Sequence, residues 1–295
     1  MKYDAREIRA LYDRGERVMN WMRARERGEG NSPTAILYSY DAQAGSYVAL
    51  VEDPSHAERK RAIARRLAPL IDGCAPRSML EAGIGEATTL GPLLAECKQP
   101  PPQVFGFDLS LSRLLFARRY LSGFGREATL FTAALDRIPL ANNSVDIVFT
   151  FHAVEPNRGR EEDILAELLR VTARRLIMVE PSYELGSDAT RQRMDELDYV
   201  RGLPETLSRL GYPPERVERF GMDVNPMNEA AIIVVDKPGA RTGEPQFVSP
   251  ISNRPLTQRS DCWYCQDDGH AFPVIAGIPC LTLESGVLAS KLDQF

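Results

Sequence analysis

Glu81-Ala82-Gly83-Ile84-Gly85-Glu86-Ala87-Thr88 follows directly on the apolar run Ser78-Met79-Leu80, an order that reads as strand, tight glycine turn, helix. Gly83 and Gly85 carry no Cβ, so the backbone can turn sharply and come close to a ligand. A helix starting near Ala87 points its free N–H groups and the positive end of its dipole at that ligand. Alone, a glycine pair after a strand is also what an ordinary strand-to-helix turn looks like. The next unit decides. Gln103-Val104-Phe105-Gly106-Phe107-Asp108 is a second strand ending in a carboxylate. It lies about twenty residues past the glycines, the spacing that puts an acid at a neighbouring strand tip to accept hydrogen bonds from ribose hydroxyls. Ser110-Leu111-Ser112 then opens a helix with hydroxyl caps. The set points to an adenosine-bearing ligand. With Ala87 and Thr88 at its later positions, the dinucleotide fingerprint is imperfect.

Further strands are expected near 128–132, 145–151, 174–180, 217–222 and 230–236, with helical patterns between them and a lead-in helix over 55–70. Such alternation means βαβ units with right-handed crossovers and a mostly parallel sheet. Ligands of these sheets bind beyond the strand carboxyl ends, where the glycines and Asp108 fall. Asn225-Pro226-Met227-Asn228 is a short link, so the last two strands should form a hairpin.

At this point the chain resembles the class I S-adenosylmethionine-dependent methyltransferases. The resemblance rests on the acid-first loop Glu81-Ala-Gly83-Ile-Gly85, on Asp108, and on Asp136-Arg-Ile-Pro-Leu-Ala-Asn-Asn-Ser-Val-Asp146-Ile-Val-Phe. Glu167-Leu-Leu-Arg170-Val and Arg175-Leu-Ile-Met-Val-Glu180-Pro181 continue it in the right order, and it spans roughly residues 56–237. It implies a Rossmann-like, doubly wound α/β fold with a seven-stranded, mostly parallel sheet and S-adenosyl-L-methionine as cofactor. The implied cofactor contacts are Glu81, Gly83, Gly85, Asp108, Leu109, Ala134, Leu135 and Phe151. One position departs. The acid that usually precedes the Pro-apolar pair and meets the adenine amino group falls at Ala134; either Asp136 substitutes or backbone groups hold the base.

The 295 residues suffice for one large domain with additions, and the apolar and charged fractions are those of a globular chain. A net charge of −5 speaks against a phosphate-neutralising face and so against nucleic acid as partner. No apolar run approaches the roughly 20 residues that span a bilayer. The N-terminus Met1-Lys-Tyr-Asp-Ala-Arg-Glu lacks the apolar core of a signal peptide, and five scattered cysteines suit a reducing cytoplasm better than a disulfide frame. A homodimer stays open.

Four segments are expected: an N-terminal helical and lid segment (1–54), a cofactor-binding domain (55–238), a linker (239–246) and a small β-rich module (247–295). Over 4–28 an amphipathic helix or helix pair, ended by Gly28-Glu-Gly30, carries seven arginines offset by acids, which reads as a solvated face. Tyr38, Tyr40, Asp41, Gln43 and Tyr47 cluster just before the nucleotide domain. A buried tyrosine needs a partner for its hydroxyl, so the segment reads as a lid or substrate wall, with plain packing as the other reading. The C-terminal stretch, with Cys262-Trp-Tyr-Cys265 and Phe272-Pro273…Gly277-Ile-Pro279, resembles the small zinc-ribbon activator subunit of certain translation and tRNA methyltransferases. Aligned on that ending, the four ligand positions hold Ser249, Ser252, Cys265 and Asp268. Two neutral hydroxyls cannot replace thiolates at zinc. A metal-free ribbon is therefore expected, against a shifted Cys262/Cys265/His270/Cys280 site or a Cys262–Cys265 disulfide.

Methyl transfer from a sulfonium needs alignment and dryness, and a base only if the acceptor must lose a proton. His152 and Glu155, three apart after the fourth strand, are the catalytic candidates; His152 titrates near neutrality, and the other reading has it merely lining the pocket. Asn157, Glu180 and Tyr183 are the expected substrate-facing set. The Asn/Asp-Pro-Pro-Tyr/Phe tetrapeptide typical of base N-methylation is absent. The leading expectation is a methyltransferase with a small-molecule acceptor; protein or RNA methylation, a non-catalytic binding protein and, more distantly, a NAD-linked dehydrogenase are the competitors.

Overall fold

A computed structural model describes residues 3–26, 30–222, 225–237 and 243–294. The stop expected at Gly28 and the first half of the expected linker (239–242) lie outside the described residues. The N-terminal segment forms α1 (Ala5–Asp13), α2 (Val18–Glu26), α3 (Pro33–Ala42) and α4 (Ser46–Leu50), followed by the long α5 (Pro54–Asp72). Local sequence explains the starts. Asp4 accepts the Arg6 N–H and Ser32 accepts the Ala35 N–H, with Pro33 preset for the first turn of α3. Ile8, Leu11, Val18, Met22 and Ala35 form a small core of their own, while Arg9–Asp13 and Arg14–Glu16 pair on the exposed faces.

The central sheet comprises β1 (Ser78–Ala82), β2 (Gln103–Asp108), β3 (Thr129–Thr132), β4 (Val145–Phe151), β5 (Thr172–Pro181), β6 (Arg216–Arg219) and β7 (Ala230–Asp236). Its order is β3-β2-β1-β4-β5-β7-β6. The first five strands are parallel, and β7 and β6 are antiparallel, the expected hairpin. The crossovers and flanking helices are α6 (Leu90–Glu96), α7 (Leu111–Ser122), α8 (Glu161–Val171), α9 (Asp188–Leu197) and α10 (Leu203–Arg209). Burial on both faces explains the nearly unbroken apolar strands. Met79, Ile147 and Phe149 face Ile63, Leu67, Leu90 and Leu114 of α5, α6 and α7. Leu80, Val148 and Leu176, one residue out of phase, meet Ile164, Leu168 and Leu207 of α8 and α10. Strand order reverses between β1 and β4, which opens a crevice at their carboxyl ends. The helix after the glycines starts later than expected: Ala87 has φ +59° and α6 begins at Leu90, so 83–89 is an extended turn.

A second sheet holds β8 (Thr257–Gln258), β9 (Cys262–Cys265), β10 (His270–Ile275), β11 (Ile278–Pro279) and β12 (Val287–Leu288), in the order β11-β10-β9-β8 with β12 on β10. It is joined to the large sheet by backbone. Ala141 N–H donates to the Gln246 carbonyl at 3.0 Å, Val248 N–H to Pro139 at 3.1 Å, and Leu281 N–H to Thr132 at 3.1 Å. Phe247, Leu256, Phe272 and Leu281 are buried in one cluster with Leu80, Phe107 and Phe131. The Phe247 ring stands edge-on to Phe131 at 5.0 Å and to Trp263 at 4.8 Å.

Ser249, Ser252, Cys265 and Asp268 converge in this module. Both serine hydroxyls donate to Asp268 Oδ2, at 2.6 and 2.5 Å, and Ser252 Oγ lies 3.8 Å from Cys265 Sγ. Hydrogen bonds occupy the positions that the resemblance assigns to metal ligands. All five thiols are free, and among the described residues no group of three or more His, Cys, Asp or Glu is placed to hold a metal ion. Among the described residues no helix is long and apolar enough to cross a membrane.

Candidate functional site

Two adjoining cavities, about 540 and about 200 Å³, occupy the crevice and share Tyr40, Gly83, Arg113 and His152. The glycine loop is their floor. Gly83 (φ +72°) and Gly85 (φ +55°) both need the left-handed region, and a Cβ on Gly83 would stand 2.4 Å from that of Ala153. Asp108, at the tip of β2, accepts the Gly85 N–H at 3.0 Å and the Ser110 N–H at 2.9 Å. The Arg113 guanidinium lies 3.9 Å from Asp108 and 3.8 Å from Glu86, against the rings of Tyr40 and Tyr47.

Glu81 lines the larger cavity, and its buried Oε2 has no hydrogen-bond partner among the described residues. Burial raises its pKa to about 8, although Lys60 opposes the shift. The Lys60 amine, from α5, donates to Thr89 Oγ1 at 3.0 Å and sits 5.0 Å from the Phe151 ring. Desolvation lowers it to about 8. A buried carboxyl and a desolvated amine thus share the cavity wall.

His152 occupies the left-handed region (φ +54°), fixed by its N–H to the Val179 carbonyl at 2.9 Å. Its Nδ1 lies 2.9 Å from Glu155 Oε2 and 3.3 Å from Asn228 Nδ2. With Nδ1–H donated to Glu155, Nε2 is the ring's basic nitrogen. Burial disfavours the imidazolium, yet the Glu155 hydrogen bond and charge outweigh it and raise the pKa above its ordinary value. The pair sits in a loop rather than on the expected helical turn. Glu180 explains the loop: its fully buried carboxylate accepts the N–H groups of Ala153, Val154 and Glu155 at 3.1, 3.1 and 3.3 Å. Desolvation lifts its pKa to about 7.

The other expected residues divide. Leu109, Ala134, Leu135, Asp136 and Asn157 line the smaller cavity, and Phe151, Tyr40, Gln43, Tyr47 and Glu155 the larger. Asp136 accepts from Arg160 at 2.9 Å. Asp41 faces neither cavity; it accepts from Ser110 Oγ at 2.6 Å and ties α3 to the cap of α7. Three further expectations need correction. Tyr38 packs away from the crevice, its hydroxyl donating to the Tyr3 carbonyl and its ring edge-on to Tyr3. Glu180 faces the loop backbone, not a substrate. Tyr183 stacks with the Arg201 guanidinium at 4.0 Å, outside both cavities. Conversely, Lys60, Glu86, Arg113 and Tyr199 belong to the site without having been singled out in the sequence. Tyr199, beside Glu155, is held protonated by burial and by that charge. Glu86, almost fully buried, accepts the N–H groups of Gly45 (3.0 Å) and Val48 (2.7 Å), and so latches α4 over the glycine loop.

Residues 79–175, which hold the glycine loop, Asp108 and the His152–Glu155 pair, match the methyltransferase domain family. A curated relative, the tRNA N(3)-methylcytidine methyltransferase Mettl2 of Drosophila melanogaster, is 35% identical over 102 residues, 31% of this chain and 31% of the relative. The chain thus spans under a third of that relative's length. Among solved structures, the complex between the Haloferax volcanii Trm112 methyltransferase activator and its candidate methyltransferase aligns with TM-score 0.52 and 15% identity, over 68% of this chain and 96% of that chain. A candidate O-methyltransferase from Nostoc punctiforme PCC 73102 aligns with TM-score 0.51 and 13% identity, over 68% of this chain and 60% of that chain. At such identities these two structures establish the fold.

Proposed function

We propose that the chain is a cytoplasmic S-adenosyl-L-methionine-dependent methyltransferase acting on a small-molecule acceptor. The observation that carries the reading is the buried, partnerless Glu81 oxygen at the glycine loop, with Asp108 one strand away and Lys60 in the same cavity. A carboxyl oxygen left without a donor in a dry wall is costly unless a ligand supplies one. The amino-acid end of the cofactor brings an ammonium for Glu81 and a carboxylate for Lys60. Asp108 would accept its ribose hydroxyls, and Leu109, Ala134 and Leu135 would flank the base. When bound, the cofactor supplies an already activated methyl group, so the protein's part is alignment, water exclusion and proton removal.

His152 Nε2 is the base we assign for an acceptor hydroxyl or amine, and Glu155 holds the tautomer and stabilises the imidazolium. Tyr47 and Tyr199 wall the space beside this pair, and a cavity of about 540 Å³ is within the range of enclosed small-molecule sites. The C-terminal module is read as a degenerate ribbon that supports the catalytic domain. Methyl transfer to a panel of small hydroxyl and amine acceptors tests the function. Turnover of one acceptor, lost in His152→Ala, supports it; cofactor binding without turnover of any acceptor, small or macromolecular, would leave a non-catalytic binding protein.

A second reading, an RNA acceptor, is favoured by the 35% identity to a tRNA methyltransferase. The net charge of −5 weighs against it. Methylation of bulk tRNA, with no small acceptor used, would replace the first reading with this one.

A further inference from the structure

The C-terminal module reaches the ligand crevice itself, and it does so through the direction of one short segment. Thr132, the last residue of β3, forms a parallel bridge with Cys280, and Leu281 N–H donates to both the carbonyl and Oγ1 of Thr132 at 3.1 Å. A segment running parallel to β3 leaves the sheet at the edge where the parallel strands end, which is the ligand-binding edge. The residues that follow arrive at the crevice for that reason. Thr282, Leu283 and Glu284 line the smaller cavity together with Leu109, Ala134 and Leu135. Leu283 is 45% exposed there, an apolar side chain open to the cavity and outside the shared core.

We propose that Leu283 is a binding residue for the purine ring of the ligand, so that the module completes the nucleobase end of the site in addition to supporting the fold. The proposal rests on the reading of the crevice as a cofactor site. A flat base entering between the β3 loop and Leu283 covers apolar area on both, which is where binding would gain. Val287, on β12 of the same module and 59% exposed, lines neither cavity and serves as the internal control.

The test is calorimetric titration of the full chain with S-adenosylhomocysteine and, separately, with adenosine. Leu283→Ala should weaken both by roughly three- to tenfold, and Leu283→Asp by more, as expected for lost apolar cover. Val287→Ala should leave both unchanged, and the unfolding midpoints of all variants should stay with the parent's. Unchanged affinity in both Leu283 variants, or an equal loss in Val287→Ala, would overturn the assignment. A parent chain that binds neither probe would remove the cofactor reading, and this assignment with it.

Discussion

Replacing Phe247 by alanine separates a module that shares the main core from one that merely rests on it. The ring is 7% exposed, edge-on to Phe131 on one side and Trp263 on the other, and lies in the cluster with Leu80 and Phe107. Truncation deletes the ring and leaves a cavity bounded by strands of both sheets, which cannot collapse without moving one of them. Phe→Ala changes in such settings cost about 3–5 kcal/mol. For a chain of this size the corresponding drop in melting temperature is on the order of 10 °C. Urea unfolding followed by circular dichroism and, in a Trp21→Phe background, by Trp263 fluorescence should give one coincident transition, shifted as a whole. Two transitions, with only the fluorescence step moved, would refute the shared core.

Three further outcomes follow from the site. Glu86→Ala strips the acceptor from the Gly45 and Val48 N–H groups and should cost about 2–4 kcal/mol, with faster hydrogen exchange over 43–50; exchange unchanged there would deny the latch. If neutral His152 is the base, kcat/KM should rise with pH with a midpoint above the ordinary imidazole value, because Glu155 raises that pKa. Glu155→Gln should move the midpoint down, and a profile flat between pH 5 and 9 would demote His152 to lining. Glu81 is held largely protonated up to about pH 8, and Lys60 loses charge above about 8. Affinity for a zwitterionic ligand should therefore climb from pH 6 to about 8 with proton release and then decline, and pH-independent titrations would sink that pairing.

The fold was legible because its signals are local and come in order. Six of the seven expected strands lie within two residues of those observed, since each is a short apolar run bounded by turn residues. The remaining one, 217–222, ends early at Arg219, where the pairing with β7 stops. The helix α6 starts three residues later than the sequence suggests because Ala87, a good helix former, is held at positive φ by the turn around it. Tyr38 and Tyr40 stand two apart, so once the segment is helical they point to different faces and only one can reach the crevice. Lys60 and Glu86 were not legible in the sequence. A lysine in an Arg- and Glu-rich helix looks like every solvated lysine until the helix is docked. Glu86 looks like an ordinary early-helix acid until α4 lies above it. Glu180 misled for the opposite reason: a carboxylate at a strand end suggests a ligand, and here the ligand is the backbone of the neighbouring loop.

The central claim is tested most directly by titrating the chain with S-adenosylhomocysteine beside Asp108→Ala. The account predicts one site per chain and a Kd weakened roughly 10- to 150-fold in the variant, the equivalent of about 1.5–3 kcal/mol for hydrogen bonds to a charged acceptor. No binding by the parent chain, binding undiminished in Asp108→Ala, or preferential binding of NAD would contradict it.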